Sequence, residues 1–198
     1  MKNMDRLCAW CVHHSVRAIT YAIVTAAVTA LPATYANAQE FHAKLSGFKE
    51  VGGVGAGQTG AIFSQGQGTL QLNLNRQLQS LRYTLTFTGL SAPVTQAHIH
   101  FGKKHVGGGI FLFLCTNLGN GPVGTPACPA GGGTVSGLLT AGSVLAVPTQ
   151  NITAGDFNVV TDALLSKTAY GNVHTTKFPA GEIRGQIVRD DDENEQDE

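Results

Sequence analysis

The sequence predicts an all-β fold, an antiparallel β-sandwich with Greek-key connections and one short helix. Three observations support this. Apolar and polar residues alternate with period two in run after run, the signature of half-buried strands. Turn-forming residues separate those runs, with 25 glycines among 198 residues. Only one segment shows apolar residues at helical spacing. Lys plus Arg equals Asp plus Glu at 13 each, which excludes a strongly basic nucleic-acid binder. No apolar run reaches the roughly 18 residues of a membrane-spanning helix, and 42% hydrophobic residues suffice for a core.

The chain begins with Lys2, Arg6 and Arg17, an apolar stretch from Ala18 to Leu31, and the small-residue triplet Ala36-Asn37-Ala38. That order predicts a signal peptide over residues 1–38, cut between Ala38 and Gln39. As a helix the apolar stretch would span about 21 Å, short of the roughly 30 Å hydrocarbon core. Gln39 follows the cut, so the cysteine nucleophile of a lipoprotein anchor is missing there. The expected location is secreted or periplasmic, with no transmembrane segment in the mature chain. Cys8 and Cys11 leave with the leader, and Cys115 and Cys128 remain to pair in an oxidising compartment. Their disulfide would contribute about 3 kcal/mol by closing a short Gly/Pro-rich loop.

Residues 39–189 form the expected domain, a mildly basic body. Strands are expected at Phe41–Phe48, Gly60–Ser64, Thr69–Asn75, Leu81–Thr88, Thr95–Phe101, Gly109–Leu114, Thr134–Thr140, Ala169–Thr175 and Glu182–Val188. Leu70, Leu72 and Leu74 alternate with polar residues, as do Leu81, Tyr83, Leu85 and Phe87, and polar Asn75 to Ser80 suits a hairpin turn between the two. Thr153 and Asp156 resemble a capping box, and Phe157, Val160 and Leu164 follow at helical spacing, predicting a helix over Ala154–Ser166. The glycine clusters at 52–60, 107–109 and 131–133 lack the Lys-Ser/Thr ending of a phosphate loop and read as turns and bulges. Residues 190–198 hold seven acids and are expected to be a disordered, solvated tail.

Chemistry concentrates in three segments. In Gln96-Ala97-His98-Ile99-His100-Phe101, alternation puts His98 and His100 on one face, with α-carbons roughly 6.5 to 7 Å apart, a chelate spacing on a strand. In Tyr170-Gly171-Asn172-Val173-His174, Val173 seeks the core and Tyr170, Asn172 and His174 take the other face. In Glu182-Ile183-Arg184-Gly185-Gln186-Ile187, Glu182, Arg184 and Gln186 are left on the polar side. Were these strands neighbours, His98, His100 and His174 would form a metal site, with Glu182 as a fourth ligand or a group orienting one. Tyr170, Asn172, Arg184 and Gln186 would line a binding face. His42 and His105 are poorer candidates by position. No nucleophile stands beside an activating base, and no Gly-x-Ser-x-Gly or His-Glu-x-x-His motif occurs, so no catalytic residue is named and an enzyme is not expected.

At these residues the chain resembles the chordin-type (CHRD) domain family over nearly all of residues 41–188. The resemblance rests on Lys49-Glu50-Val51, Ala97-His98-Ile99-His100-x-Gly102, Ala169-Tyr170-x-Asn172-Val173-His174-Thr175, and Gly181-Glu182-Ile183-Arg184-Gly185-Gln186. Gly52 and Gly53 stand where the family usually has prolines, and the Cys115–Cys128 loop is a local elaboration. The resemblance implies an immunoglobulin-like sandwich in an extracellular or periplasmic protein and assigns no activity. The His-x-His block is also similar to the copper-ligand strand of copper/zinc superoxide dismutases, without the rest of their ligand pattern.

Two readings follow. The first is an exported, non-enzymatic binding or structural module whose polar face recognises an extracellular or envelope ligand, or fixes the fold. The second is a protein holding one copper or zinc ion on three histidines. Asn151-Ile152-Thr153 adds an N-glycosylation sequon.

Overall fold

A computed structural model describes residues 38–51 and 60–195. The expected leader, residues 1–38, lies outside these apart from Ala38, as does most of the first glycine cluster and the end of the acidic segment. Nine strands follow in chain order: β1 (Ala38–Ser46), β2 (Gln67–Asn75), β3 (Ser80–Thr88), β4 (Val94–Phe101), β5 (Gly109–Thr116), β6 (Gly133–Thr140), β7 (Ala169–Thr175), β8 (Ile183–Gln186) and β9 (Val188–Arg189). One helix, α1 (Asn158–Leu165), precedes β7. All pairings are antiparallel, in the order β5-β4-β7-β8-β1-β2-β3-β6, with β9 on β1. The sheet curls like a nearly closed barrel, and the Tyr83 hydroxyl of β3 donates to the Leu114 carbonyl of β5 at 2.6 Å.

The alternating leucines explain the register. Leu70, Leu72 and Leu74 of β2 face Leu85, Tyr83 and Leu81 of β3, and all six are buried. Phe41, Ala43 and Leu45 from β1, Ala97 and Ile99 from β4, and Phe111, Leu112 and Leu114 from β5 complete the core with the apolar side of α1. Cys115, opposite Ala97, is bonded to Cys128 as expected, with α-carbons 5.0 Å apart.

Three expectations are corrected. The helix starts at Asn158 rather than Ala154, because Thr153 to Asp156 makes a turn with Gly155 at φ 83°. Asp156 Oδ1 then accepts the Asn158 N–H at 3.0 Å, so the carboxylate satisfies the first N–H of a shorter helix. Residues 60–64 form no strand: their tie to the fold is the Ile62 N–H to Gly47 carbonyl bond and the side chain of Ser64, while Phe63 points outward. The run Glu182–Val188 divides into β8 and β9 at Ile187, whose N–H donates to the Ala169 carbonyl of β7, while the run keeps one register beside β1 from Arg184 opposite Ser46 to Arg189 opposite Phe41. Gly185 permits the close approach of this run to β1, because a Cβ there would meet the Lys44 carbonyl oxygen at 2.6 Å. Of the acidic segment, Asp190–Glu195 form 3₁₀ turns, and Asp190 bonds His42 Nδ1 at 2.8 Å.

Candidate metal centre

The sheet order makes β4, β7 and β8 neighbours, and the register aligns their polar residues in ranks. His98 pairs with Asn172, and Asn172 with Arg184. His100 pairs with Tyr170, and Tyr170 with Gln186, while His174 lies opposite Gln96. Register shifts in the β4–β5 ladder fall between Ala97 and His98 and between Ile99 and His100, irregularities that re-aim side chains beside a site.

This face is enclosed. His98 is 0% exposed, His174 5% and His100 7%. One ring nitrogen of each lies within 4.8 Å of the others, the group of three that among the described residues could hold an ion. Hydrogen bonds settle the tautomers. His100 Nδ1 faces the Gly108 carbonyl and His174 Nδ1 the Pro179 carbonyl, each at 2.9 Å. A carbonyl only accepts, so both Nδ1 atoms bear hydrogen and both Nε2 atoms keep a free lone pair. His174 Nε2 in turn accepts from His98 Nδ1 at 3.2 Å, which leaves a lone pair on His98 Nε2 as well. The Nε2 atoms of His98 and His100 are buried without any hydrogen-bond partner.

Burial, with mutual repulsion, keeps all three rings neutral. Desolvation, then His174 and His100, lower the His98 pKa to about 2. Desolvation lowers His100 to about 3 against the opposing Gly108 bond, and lowers His174 to about 4 against the Pro179 bond. These are the protonation states that metal binding requires.

Aromatic rings wall the trio. Phe113 of β5 meets His98 edge-on at 4.3 Å, and Tyr170 stacks on His100 at 4.7 Å with planes 6° apart. The Arg184 guanidinium, reaching from the other neighbouring strand, lies 3.4 Å from the Tyr170 ring centre, a cation–π contact. Its Nη2 donates to the Lys103 and Val106 carbonyls at 3.2 and 2.9 Å, while Nη1 is buried without a partner. Desolvation lowers the Arg184 pKa, and Tyr170 and the Glu50 carboxylate oppose this. Gln186 Nε2 reaches the carbonyls of Gly102, Lys167 and Ala169. Gly108 is required where it stands: a Cβ there would collide with the Phe101 carbonyl, and its N–H donates to the Tyr170 hydroxyl.

Glu182 belongs to a different network. Its Oε1 accepts from Ser64 Oγ at 2.6 Å and the Ser91 N–H at 2.8 Å, and its Oε2 from Thr175 Oγ1 at 2.8 Å. Burial alone would raise its pKa, and these donors outweigh that and lower it. The carboxylate is thus committed outside the imidazole group, because β8 begins only after it, at Ile183. Sequence reasoning missed the carboxylate that does touch this face: Asn172 Nδ2 donates to Glu50 Oε2 at 2.6 Å and to the Ile183 carbonyl. Glu50 follows a 3₁₀ turn beside a glycine cluster, with no periodicity to mark it. His42 lies on β1 with Asp190, and exposed His105 sits in the loop after β4, both outside the trio.

Fold and site define a β-domain that encloses an imidazole-lined polar face within a curled antiparallel sheet. The CHRD domain family model matches residues 41–187, and the chain belongs to that family. No curated protein matches it. Among the described residues no helix is long and apolar enough to cross a membrane.

Proposed function

We propose that this CHRD-domain protein is an exported, non-enzymatic module that holds one copper or zinc ion on His98, His100 and His174. The two buried, unpartnered Nε2 lone pairs carry this reading. An unsatisfied buried polar atom costs about 1–3 kcal/mol, so a purely structural polar network would be badly composed here. An ion would convert both lone pairs into bonds and exchange the His98–His174 hydrogen bond for coordination. The Gly108 and Pro179 carbonyls would act as the outer partners that orient metal-bound histidines. When bound, the ion supplies a positively charged centre that fixes the rings; Tyr170, Asn172, Arg184 and Gln186 hold the surrounding strands and loops in register.

The alternative, recognition of an envelope ligand by this face, is less well supported, because Tyr170, Asn172 and Arg184 are each no more than 4% exposed. Export rests on the leader over residues 1–38, with cleavage between Ala38 and Gln39, and the Cys115–Cys128 disulfide suits an oxidising compartment. We further read the curled sheet as an immunoglobulin-like sandwich with Greek-key connections, one layer built around β4, β7 and β8 and the other around β1, β2 and β3.

Metal analysis of the untagged protein, grown with copper and zinc in excess, tests the function. One equivalent per chain is expected, lost in both His98→Ala and His100→Ala with circular dichroism unchanged. A wild-type protein that carries no metal under these conditions refutes it.

A further inference from the structure

The charge balance of the site identifies the ion. All three donors are neutral imidazoles, and the group includes no anionic ligand. Neither buried carboxylate of the described domain belongs to the group: Glu182 is held by Ser64, Ser91 and Thr175, and Glu50, at the edge of the same face, by Asn172 and the Val51 N–H. Both cysteines of the domain are consumed in the disulfide, so no thiolate is available. The Arg184 guanidinium shares Tyr170 with His100, and the charge it brings is offset by the Glu50 carboxylate, so the two fixed charges beside the neutral donors do not add an anion for the ion.

An ion in this site would therefore keep nearly its full charge in a place sealed from water. The cost of burying a charge grows with its square, so a dication is about four times as expensive as a monocation of similar size. Zinc centres with three protein ligands relieve this through a water or substrate in an open fourth position. Here the rings beside the donors are aromatic rather than wet, Phe113 against His98 and Tyr170 against His100. A monovalent ion content with three nitrogen donors fits these conditions, and copper is the imidazole-binding metal that offers one.

Building on the metal reading above, we infer that the site holds copper as Cu(I) and discriminates against Zn(II) and Cu(II). The donors select copper by charge rather than by softness, since imidazole alone suits both metals.

The test is an anaerobic titration of the untagged exported protein with Cu(I) against a chromophoric Cu(I) chelator, beside a matching Zn(II) titration. One Cu(I) per chain is expected, bound at least about 100-fold more tightly than Zn(II). After exposure to air the copper protein should remain silent in electron paramagnetic resonance. Equal or tighter Zn(II) binding, or a Cu(II) signal of one spin per chain, overturns the inference and leaves the metal site standing. Binding of neither metal overturns both. Phe113→Glu, which sets a carboxylate beside His98, should narrow the gap between Cu(I) and Zn(II) about tenfold or more. A folded Phe113→Glu protein with an unchanged gap also overturns the charge argument.

Discussion

Strands β3 and β7 carry the same alternating pattern and lead opposite lives. On β3, Leu81, Tyr83, Leu85 and Phe87 are buried while Arg82, Thr86 and Thr88 face water, the ordinary condition of an antiparallel strand with one wet side. On β7 every residue from Ala169 to Thr175 is buried. Its inner side packs Val173 against the core, and its outer side is roofed by the loop through Lys103 to Gly108, by Glu50, and by the turn that carries Pro179. A polar face under such a roof cannot rely on water. Each group on it must find a protein partner or lack one, which is why the unpartnered nitrogens of His98 and His100 carry meaning and an unpaired group on the wet side of β3 would not.

The contrast can be broken most forcefully from the side the two strands share. Phe87→Ala removes a fully buried ring from β3 and is expected to cost about 3–5 kcal/mol, measured by urea denaturation. The outer sides should then diverge. Asn172→Ala on β7 deprives the enclosed Glu50 carboxylate of its amide donor and should cost about 2–3 kcal/mol, whereas Thr86→Ala on β3 should stay within about 0.5 kcal/mol. Equal effects at these two positions would mean that the roof over β7 is open in solution.

The finest probe is pH. In metal-free protein the three imidazoles have folded pKa values below the ordinary 6.5, so below that pH the unfolded chain binds protons that the folded chain refuses. Stability is therefore complete above about pH 6.5 and falls as the pH drops toward about 4, where His174 begins to protonate in the folded state, and on toward about 2. Glu182, also lowered, adds to the loss only below its ordinary value of 4.5, so the window between about 4.5 and 6.5 belongs to the histidines. His100→Gln should make the slope in that window shallower by up to about 1.4 kcal/mol per pH unit. A slope that the substitution leaves unchanged would place His100 in water.

Much of this was legible in the sequence, for reasons that also explain what was not. Period two survives in any half-buried strand, so β2, β3 and β7 stand where the alternation of Leu70, Leu81 and Val173 puts them. The same parity put His98, His100 and His174 on polar faces. Parity says nothing about which strands adjoin, and the trio forms only because β4 and β7 pair along their lengths. It also fails at strand ends: Glu182 shares the parity of Arg184, yet it precedes the first residue of β8 and turns to Thr175. The roof was invisible for a different cause. Lys103 to Gly108 act through backbone carbonyls, which every residue has and no side-chain pattern advertises.

That one short loop grips both the ring of His100, through the Gly108 carbonyl, and the guanidinium of Arg184, through the carbonyls of Lys103 and Val106. Its fluctuations would loosen the two together, so the lifetime of anything lodged beneath it is governed by local opening rather than by coordination strength alone. Amide hydrogen exchange at Gly108, whose N–H is held by Tyr170, would keep time for that event.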